Sequence, residues 1–205
     1  MKIALVMEQG QGDKNSLVFQ TLQKAAQKKG HTVDNYGAHT TFVTAGVLAS
    51  ALIASGCADF VVSGCGTGIE ICMAMNAMPC LRCGLVTTPL DVFMFTQINH
   101  GNAISLALEG VGERQLAQSL QLLFETLFEG EWGAGYPPES AEFERINRGI
   151  LVGLKQTIHY SVEEMLQETD AALVREAFGP TEIKQLFLSN SKRETVNRII
   201  LEKIG

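Results

Sequence analysis

The sequence has no surplus of positive charge: 16 Lys and Arg stand against 22 Asp and Glu, a formal net charge of −6. Chains that bind nucleic acid carry a basic face or stripe. Without one, no nucleic-acid partner is expected, although a single phosphate still needs only a few local donors. There is also no apolar run of membrane-spanning length. The opening MKIALVMEQG meets Glu8 too early for a signal-peptide core, and the weakly polar stretch 44–58 is broken by Gly46, Ser50, Ser55 and Gly56. That stretch reads as a buried helix, no membrane partner is expected, and the expected compartment is the cytoplasm. A paired cysteine framework is lacking as well. Cys57, Cys65, Cys72, Cys80 and Cys83 are odd in number and several fall in apolar segments, as reduced thiols do. Cys80 and Cys83 have ligand spacing but no second pair completes a zinc site, so no metal is expected. Neither a Walker A loop nor G-x-G-x-x-G occurs, which removes the strongest support for nucleotide binding.

What is present is ample core material, 46% hydrophobic over 205 residues. Short apolar runs alternate with helical patterns. Lys2 to Met7, His31 to Tyr36, Phe60 to Ser63, Leu81 to Thr87 and Ala103 to Leu108 read as strands. Between them, helices are expected from Asp13 or Ser16 to Lys29, from Thr44 to Ser55, from Gly68 to the residues before Pro79, and from Pro89 to Gln97. A fifth runs from Gly112 to Phe128. This alternation predicts an α/β fold, a Rossmann-like three-layer sandwich around a five-stranded, mainly parallel sheet. After Phe128 charged residues become about twice as dense. The domain reading is therefore a sheet domain over 1–130. A linker and helical extension over 131–205 (helices 139–160, 161–178 and 180–204) is expected to pack on the core or on a partner subunit.

The segment Ser63-Gly64-Cys65-Gly66-Thr67-Gly68 carries the most chemistry. Glycines at a strand end leave backbone N–H groups facing a bound anion or oxyanion, and a cysteine ahead of a helix start is favoured as thiolate. Such a thiolate suits removal of a proton from carbon beside a carbonyl, with the amides stabilising the enediolate. Glu8 and Gln9, after the first strand, are expected on the same edge to hold sugar hydroxyls. Asn99 and His100, in the loop 97–102, are read as a ligand contact and a proton shuttle to the ring oxygen. His39 is a weaker candidate in the loop after the second strand. Arg145 and Arg148 lie three apart on one helical face and are candidates for gripping phosphate, while Arg82 reads as structural.

These residues resemble the sugar-phosphate isomerases that include type B ribose-5-phosphate isomerase and galactose-6-phosphate isomerase. The likeness rests on MKIAL, Gly37-Ala38-His39, SGCGTGIEICMAMNAMP over 63–79, LRCGLVTTP and QINHGNAISLALEGVG. It implies cofactor-free aldose–ketose interconversion. Cys65 is then the base, Thr67 assists ring opening, Gly66 and Gly68 supply amides, and Asn99 contacts the sugar. It also implies a homodimer or tetramer with sites completed between subunits. The chain departs from the family at Glu8-Gln9, where Asp-His is usual, and at Ile98, where the ring-opening His is usual. It departs again at Glu70, where a Gly is usual and an acid now stands beside the ligand loop. A divergent isomerase of a phosphorylated pentose or hexose is expected. The alternatives are a non-catalytic sugar-phosphate-binding or regulatory protein and another cysteine-dependent enzyme.

Overall fold

The computed structural model describes residues 1–38, 41–158 and 160–205. Five strands form one sheet: β1 (Lys2–Met7), β2 (Thr32–Asn35), β3 (Phe60–Cys65), β4 (Cys83–Val86) and β5 (Ala103–Ala107). Their order is β2-β1-β3-β5-β4, and all four pairings are parallel. The central strands are continuous apolar runs because both faces are covered. Ile3, Leu5, Val62 and Ile104 point to one side, while Ala4, Val6, Val61 and Ala103 point to the other.

On the first face lie α1 (Asn15–Gln27) and α5 (Glu113–Leu127), with Leu22, Leu120 and Phe124 buried against the sheet. On the second lie α2 (Phe42–Ala54) and α3 (Ile69–Ala77). Nine consecutive residues of α2, Thr44 to Leu52, are buried. A helix apolar all round needs cover on every side, and the C-terminal extension supplies the outer layer. A short α4 (Pro89–Met94), opened by a Thr88–Asp91 capping box, runs into a π-turn over Phe95–Asn99.

The extension is α6 (Ala141–Ile158), α7 (Val162–Glu168), α8 (Ala171–Phe178), α9 (Thr181–Asn190) and α10 (Glu194–Ile204). The expected helices 161–178 and 180–204 are each broken in two. The first break lies at Thr169–Asp170, where the Asp170 carboxylate caps α8 by accepting from Ala172 N–H at 2.6 Å. The second lies in the extended residues 191–193, where Ser191 Oγ contacts Asn197 Oδ1 at 2.5 Å. Leu166, Phe178, Phe187 and Ile200 are buried in the cluster that holds α2. Lys192 N–H donates to the Ser55 carbonyl at 2.7 Å, and Cys57 Sγ to the Phe187 carbonyl at 3.4 Å. The helices α7 to α10 thus dock on their own core.

Helix α6 does the reverse. Two of its cations face inward: Arg148 donates to the Ile98 carbonyl at 3.1 Å, and Lys155 to the Asn76 carbonyl at 3.0 Å. Its apolar stripe Ile146, Ile150 and Leu154 faces outward, each residue more than half exposed. The extension thus leaves an exposed apolar face on α6.

Candidate functional site

Strand order reverses at β1 and β3, so the crevice beyond their carboxyl ends is where a doubly wound sheet binds ligands. Three loops meet there. Glu8 N–H donates to the Gly64 carbonyl at 3.1 Å, and Glu109 N–H to the Gly66 carbonyl at 3.0 Å. A cavity of about 410 Å³ opens between them, lined by Glu8, Gln11, Gly66, Thr67, Glu70 and Glu109 among others. Gly68 sits at φ +74°, and a Cβ there would lie 2.5 Å from Leu85 and 3.0 Å from the Leu106 carbonyl. Only glycine fits this turn. The Ser105 hydroxyl holds it from beneath, donating to the Gly68 carbonyl at 2.5 Å. Thr67 Oγ1 accepts from Ile69 N–H at 3.3 Å. Among the described residues the amides of Gly66, Thr67 and Gly68 donate to no other group, so they are available to a ligand oxygen.

Cys65 is the last residue of β3, directly under this loop. Its side chain points to the α2/α3 face, where it is 1% exposed in the cluster containing Ile71 and Met75. It is therefore adjacent to the cavity floor and is not itself a wall of the cavity. Gln9 is exposed and does not line the cavity, whereas Gln11 does: it is 4% exposed and donates to Glu109 Oε1 at 2.9 Å. Glu109 was missed by sequence reasoning, which followed the loops after β1 and β3 but not the one after β5. Its signal was available, since it lies two residues past a strand end on the ligand-binding edge. Glu70 is exposed in the first turn of α3, where a carboxylate is favoured by the helix dipole and counters a phosphate bound at the same point.

The remaining candidates lie on the opposite edge of the sheet. The loop 97–102 leads from a helix into β5, so it meets the amino end of the strand, roughly one strand length (about 17 Å) from the Cys65 loop. There a cavity of about 610 Å³ is lined by Asn99, Arg82, Arg148 and Lys155, with Phe95 and Phe143 as apolar walls. His100 is the sole non-glycine residue at positive φ (43°) among the described residues. Its ring packs edge-on against Trp132 with centroids 6.3 Å apart. Burial, then the charges of Arg148 and Arg82, hold its pKa below the ordinary 6.5, so it is a neutral imidazole at physiological pH. Arg145 points away, paired with Glu142 on the surface. Asn102 and Asn76 are structural. Asn102 receives the Arg82 N–H at 2.8 Å and donates to the Cys80 carbonyl at 2.9 Å, while Asn76 bonds both backbone groups of Cys83. His39 lies outside the described residues.

One chain thus places Cys65, Gly66, Thr67, Gly68, Glu8 and Glu70 on one edge of the sheet, and Asn99, His100 and Arg148 on the other. Among the described residues, no group of three His, Cys, Asp or Glu side chains is arranged to hold a metal ion, and no helix is long and apolar enough to cross a membrane.

The model of the ribose/galactose isomerase family matches residues 3–134. Among solved structures, a 4-deoxy-L-threo-5-hexosulose-uronate ketol-isomerase complexed with a tartrate is 35% identical, with a TM-score of 0.95 over 100% of this chain and 99% of that one. A ribose-5-phosphate isomerase from Vibrio parahaemolyticus is 38% identical, with a TM-score of 0.94 over 99% of each chain. A ribose-5-phosphate isomerase B from Giardia lamblia is 28% identical, with a TM-score of 0.52 over 64% of this chain and 96% of that one. Among curated proteins none matches the chain. The first two likenesses extend through α10, so the helical extension is shared with them.

Proposed function

The chain belongs to the ribose/galactose isomerase family, and on that premise we propose that it interconverts the aldose and ketose forms of a small anionic sugar, with Cys65 moving the proton. A phosphorylated pentose or hexose is the first expectation. The two relatives that match over nearly their whole length are named for a pentose phosphate and for a hexosulose uronate. What those substrates share is a carbonyl and a terminal anion.

The observation that carries the reading is the loop over Cys65, with three unengaged amides above a cysteine at the switch point of the sheet. The Cys65 thiolate takes the proton from C2 of the open-chain aldose, the C2–H bonding pair forms the C1–C2 double bond, and the carbonyl π pair moves to O1. The Gly66, Thr67 and Gly68 amides stabilise the enediolate oxygen as charge develops. Return of the proton to C1, with the O2 hydroxyl proton passing to O1, gives the ketose. The step is internally balanced and calls for no external oxidant or reductant. The carboxylates of Glu8 and Glu109 suit sugar hydroxyls at this end of the ligand, and they disfavour an anionic group there.

Since the cations stand on the opposite edge, a complete site needs two copies, one giving the Cys65 loop and the other its Asn99–Arg148 edge. The outward apolar stripe of α6, which adjoins that edge, is the proposed contact for the second copy. A non-catalytic sugar-binding protein is the second reading, and the near-complete burial of Cys65 favours it. Incubating ribose 5-phosphate, galactose 6-phosphate and the 4-deoxy-hexosulose uronate with the protein in deuterated water separates the two readings. Deuterium is expected at C1 or C2 of at least one sugar, with a loss of at least 100-fold in Cys65→Ala, on the scale of removing a general base. Exchange by the alanine variant at the wild-type rate would remove Cys65 from the mechanism. Binding without exchange would favour the second reading.

A further inference from the structure

The proposed conversion moves two protons, one between carbons and one from O2 to O1, and Cys65 accounts only for the first. The second transfer needs a group that accepts and returns a proton beside the amides that hold O1. Glu8, Glu70 and Glu109 bring carboxylates to the cavity there. Glu8 folds over its own turn, since a Cβ on Gly10 would lie 2.8 Å from its Oε2. Glu70 stands exposed in the first turn of α3. Glu109 lies against the Cys65 loop itself. A Cβ on Gly66 would meet its Cδ and Oε2 at 2.8 Å and its Oε1 at 3.1 Å. No positive φ calls for glycine at 66, and the space a side chain would take there is filled by this carboxylate. The carboxylate is also held in one orientation. Lys14 Nζ donates to Gln11 Oε1, and because a lysine only donates, this contact turns the other end of the amide, Nε2, towards Glu109. Gln11 is buried and donates to Glu109 Oε1 at 2.9 Å. Oε1 is thereby engaged, while among the described residues Oε2 accepts no hydrogen bond. A buried amide engaged at both ends is a rigid mount for the carboxylate it holds.

We propose that Glu109 carries the proton from O2 to O1 of the enediolate, and that Gln11 is its positioning residue. The inference rests on the isomerase reading, whose remaining transfer it supplies. Oε2 accepts the O2 hydroxyl proton as the C2 carbonyl forms, and passes it to O1. The O2–H bond breaks, the O1–H bond forms, and the carboxylate ends each turnover as it began. The C1–H bond forms with the proton from the Cys65 thiol. Until O1 is protonated, its charge faces the Gly66, Thr67 and Gly68 amides.

The test compares two initial rates in deuterated water, for the full-length wild type and for Glu109→Gln, with ribose 5-phosphate, galactose 6-phosphate and the 4-deoxy-hexosulose uronate in turn. Deuterium in the recovered starting sugar reports abstraction and return at carbon, which needs no transfer between O2 and O1. Formation of the isomer needs both transfers. Glu109→Gln is expected to slow isomer formation about 100-fold, the scale of a lost acid–base group, while deuterium enters the starting sugar within about threefold of the wild-type rate. Glu109→Asp, which keeps the acid and shortens its reach, is expected to recover part of the isomer formation. Gln11→Met is expected to raise the ratio of exchange to isomer by a smaller factor. Glu113→Gln, on the exposed start of α5, leaves both rates at the wild-type level. Glu109 is exposed and glutamine matches its shape, so Glu109→Gln is expected to fold and decides the matter even if Gln11→Met does not. A ratio of exchange to isomer that stays level or falls in Glu109→Gln overturns the assignment and leaves Cys65 its role. A wild type that forms no isomer from any of the three sugars removes the isomerase reading, and the proton carrier with it.

Discussion

His100 combines three observations that belong together at the scale of one residue. It holds positive φ, its ring is packed against Trp132, and burial with two guanidinium neighbours lowers its pKa. The unfolded chain takes up a proton near the ordinary 6.5 that the folded one resists, so stability falls as pH drops through 6.5 towards the folded pKa. His31, lowered by burial and by the amino terminus, adds a loss of the same sign. Asparagine tolerates positive φ and does not titrate there. His100→Asn is therefore expected to unfold with a smaller drop in Tm between pH 7 and 5 than wild type, as followed by thermal melts across that range. An equal drop would mean that the depression has no weight in stability. The neutral ring of His100 can accept a proton at physiological pH, which a shuttle to the ring oxygen requires before it donates one. Its neighbours Arg82 and Arg148 are scattered along the chain, and their electrostatic effect on it was not legible from residue types.

Among the elements, the strands were legible because continuous apolar runs flanked by turns have few other solutions, and β1 matches its expected span at both ends. The helices of the extension were legible as helical but not in their breaks, since Asp170 and the 191–193 corner depend on cap geometry that competes with a continuing periodic pattern. The Cys65 loop could be located because strand-end glycines have a local signature. That Asn99 and His100 would fall on the opposite edge followed from counting the loop as helix-to-strand, which motif reading passed over. Helix α6 was the least legible element. Its apolar stripe is ordinary in sequence, and only packing reveals that it faces outward. Ile150→Asp, placed in this stripe, is expected to shift the protein towards a smaller assembly in sedimentation while leaving its thermal unfolding nearly unchanged. Exposed substitutions cost little within a chain, and a charge buried at an interface costs much more. An unchanged assembly would free the stripe for another partner.

The whole molecule is a parallel sheet whose two edges carry different groups. The carboxyl edge has Cys65, the unengaged amides and the carboxylates of Glu8 and Glu109. The amino edge has Arg82, Arg148 and Lys155. About 17 Å of strand separates them, too far for one small sugar to reach within a single chain. On the proposed function, Cys65 of one copy acts on a substrate held by Arg148 of another. Mixing addresses it most directly. Cys65→Ala and Arg148→Met proteins, each expected to be inactive alone, are dissociated together and reassociated, and proton exchange at the sugar is then measured. In a symmetric dimer about half the assemblies are mixed and each holds one intact site, so about a quarter of wild-type activity is predicted to return. Mixed assemblies that form, as seen by native mass spectrometry, yet recover no activity would contradict the shared site.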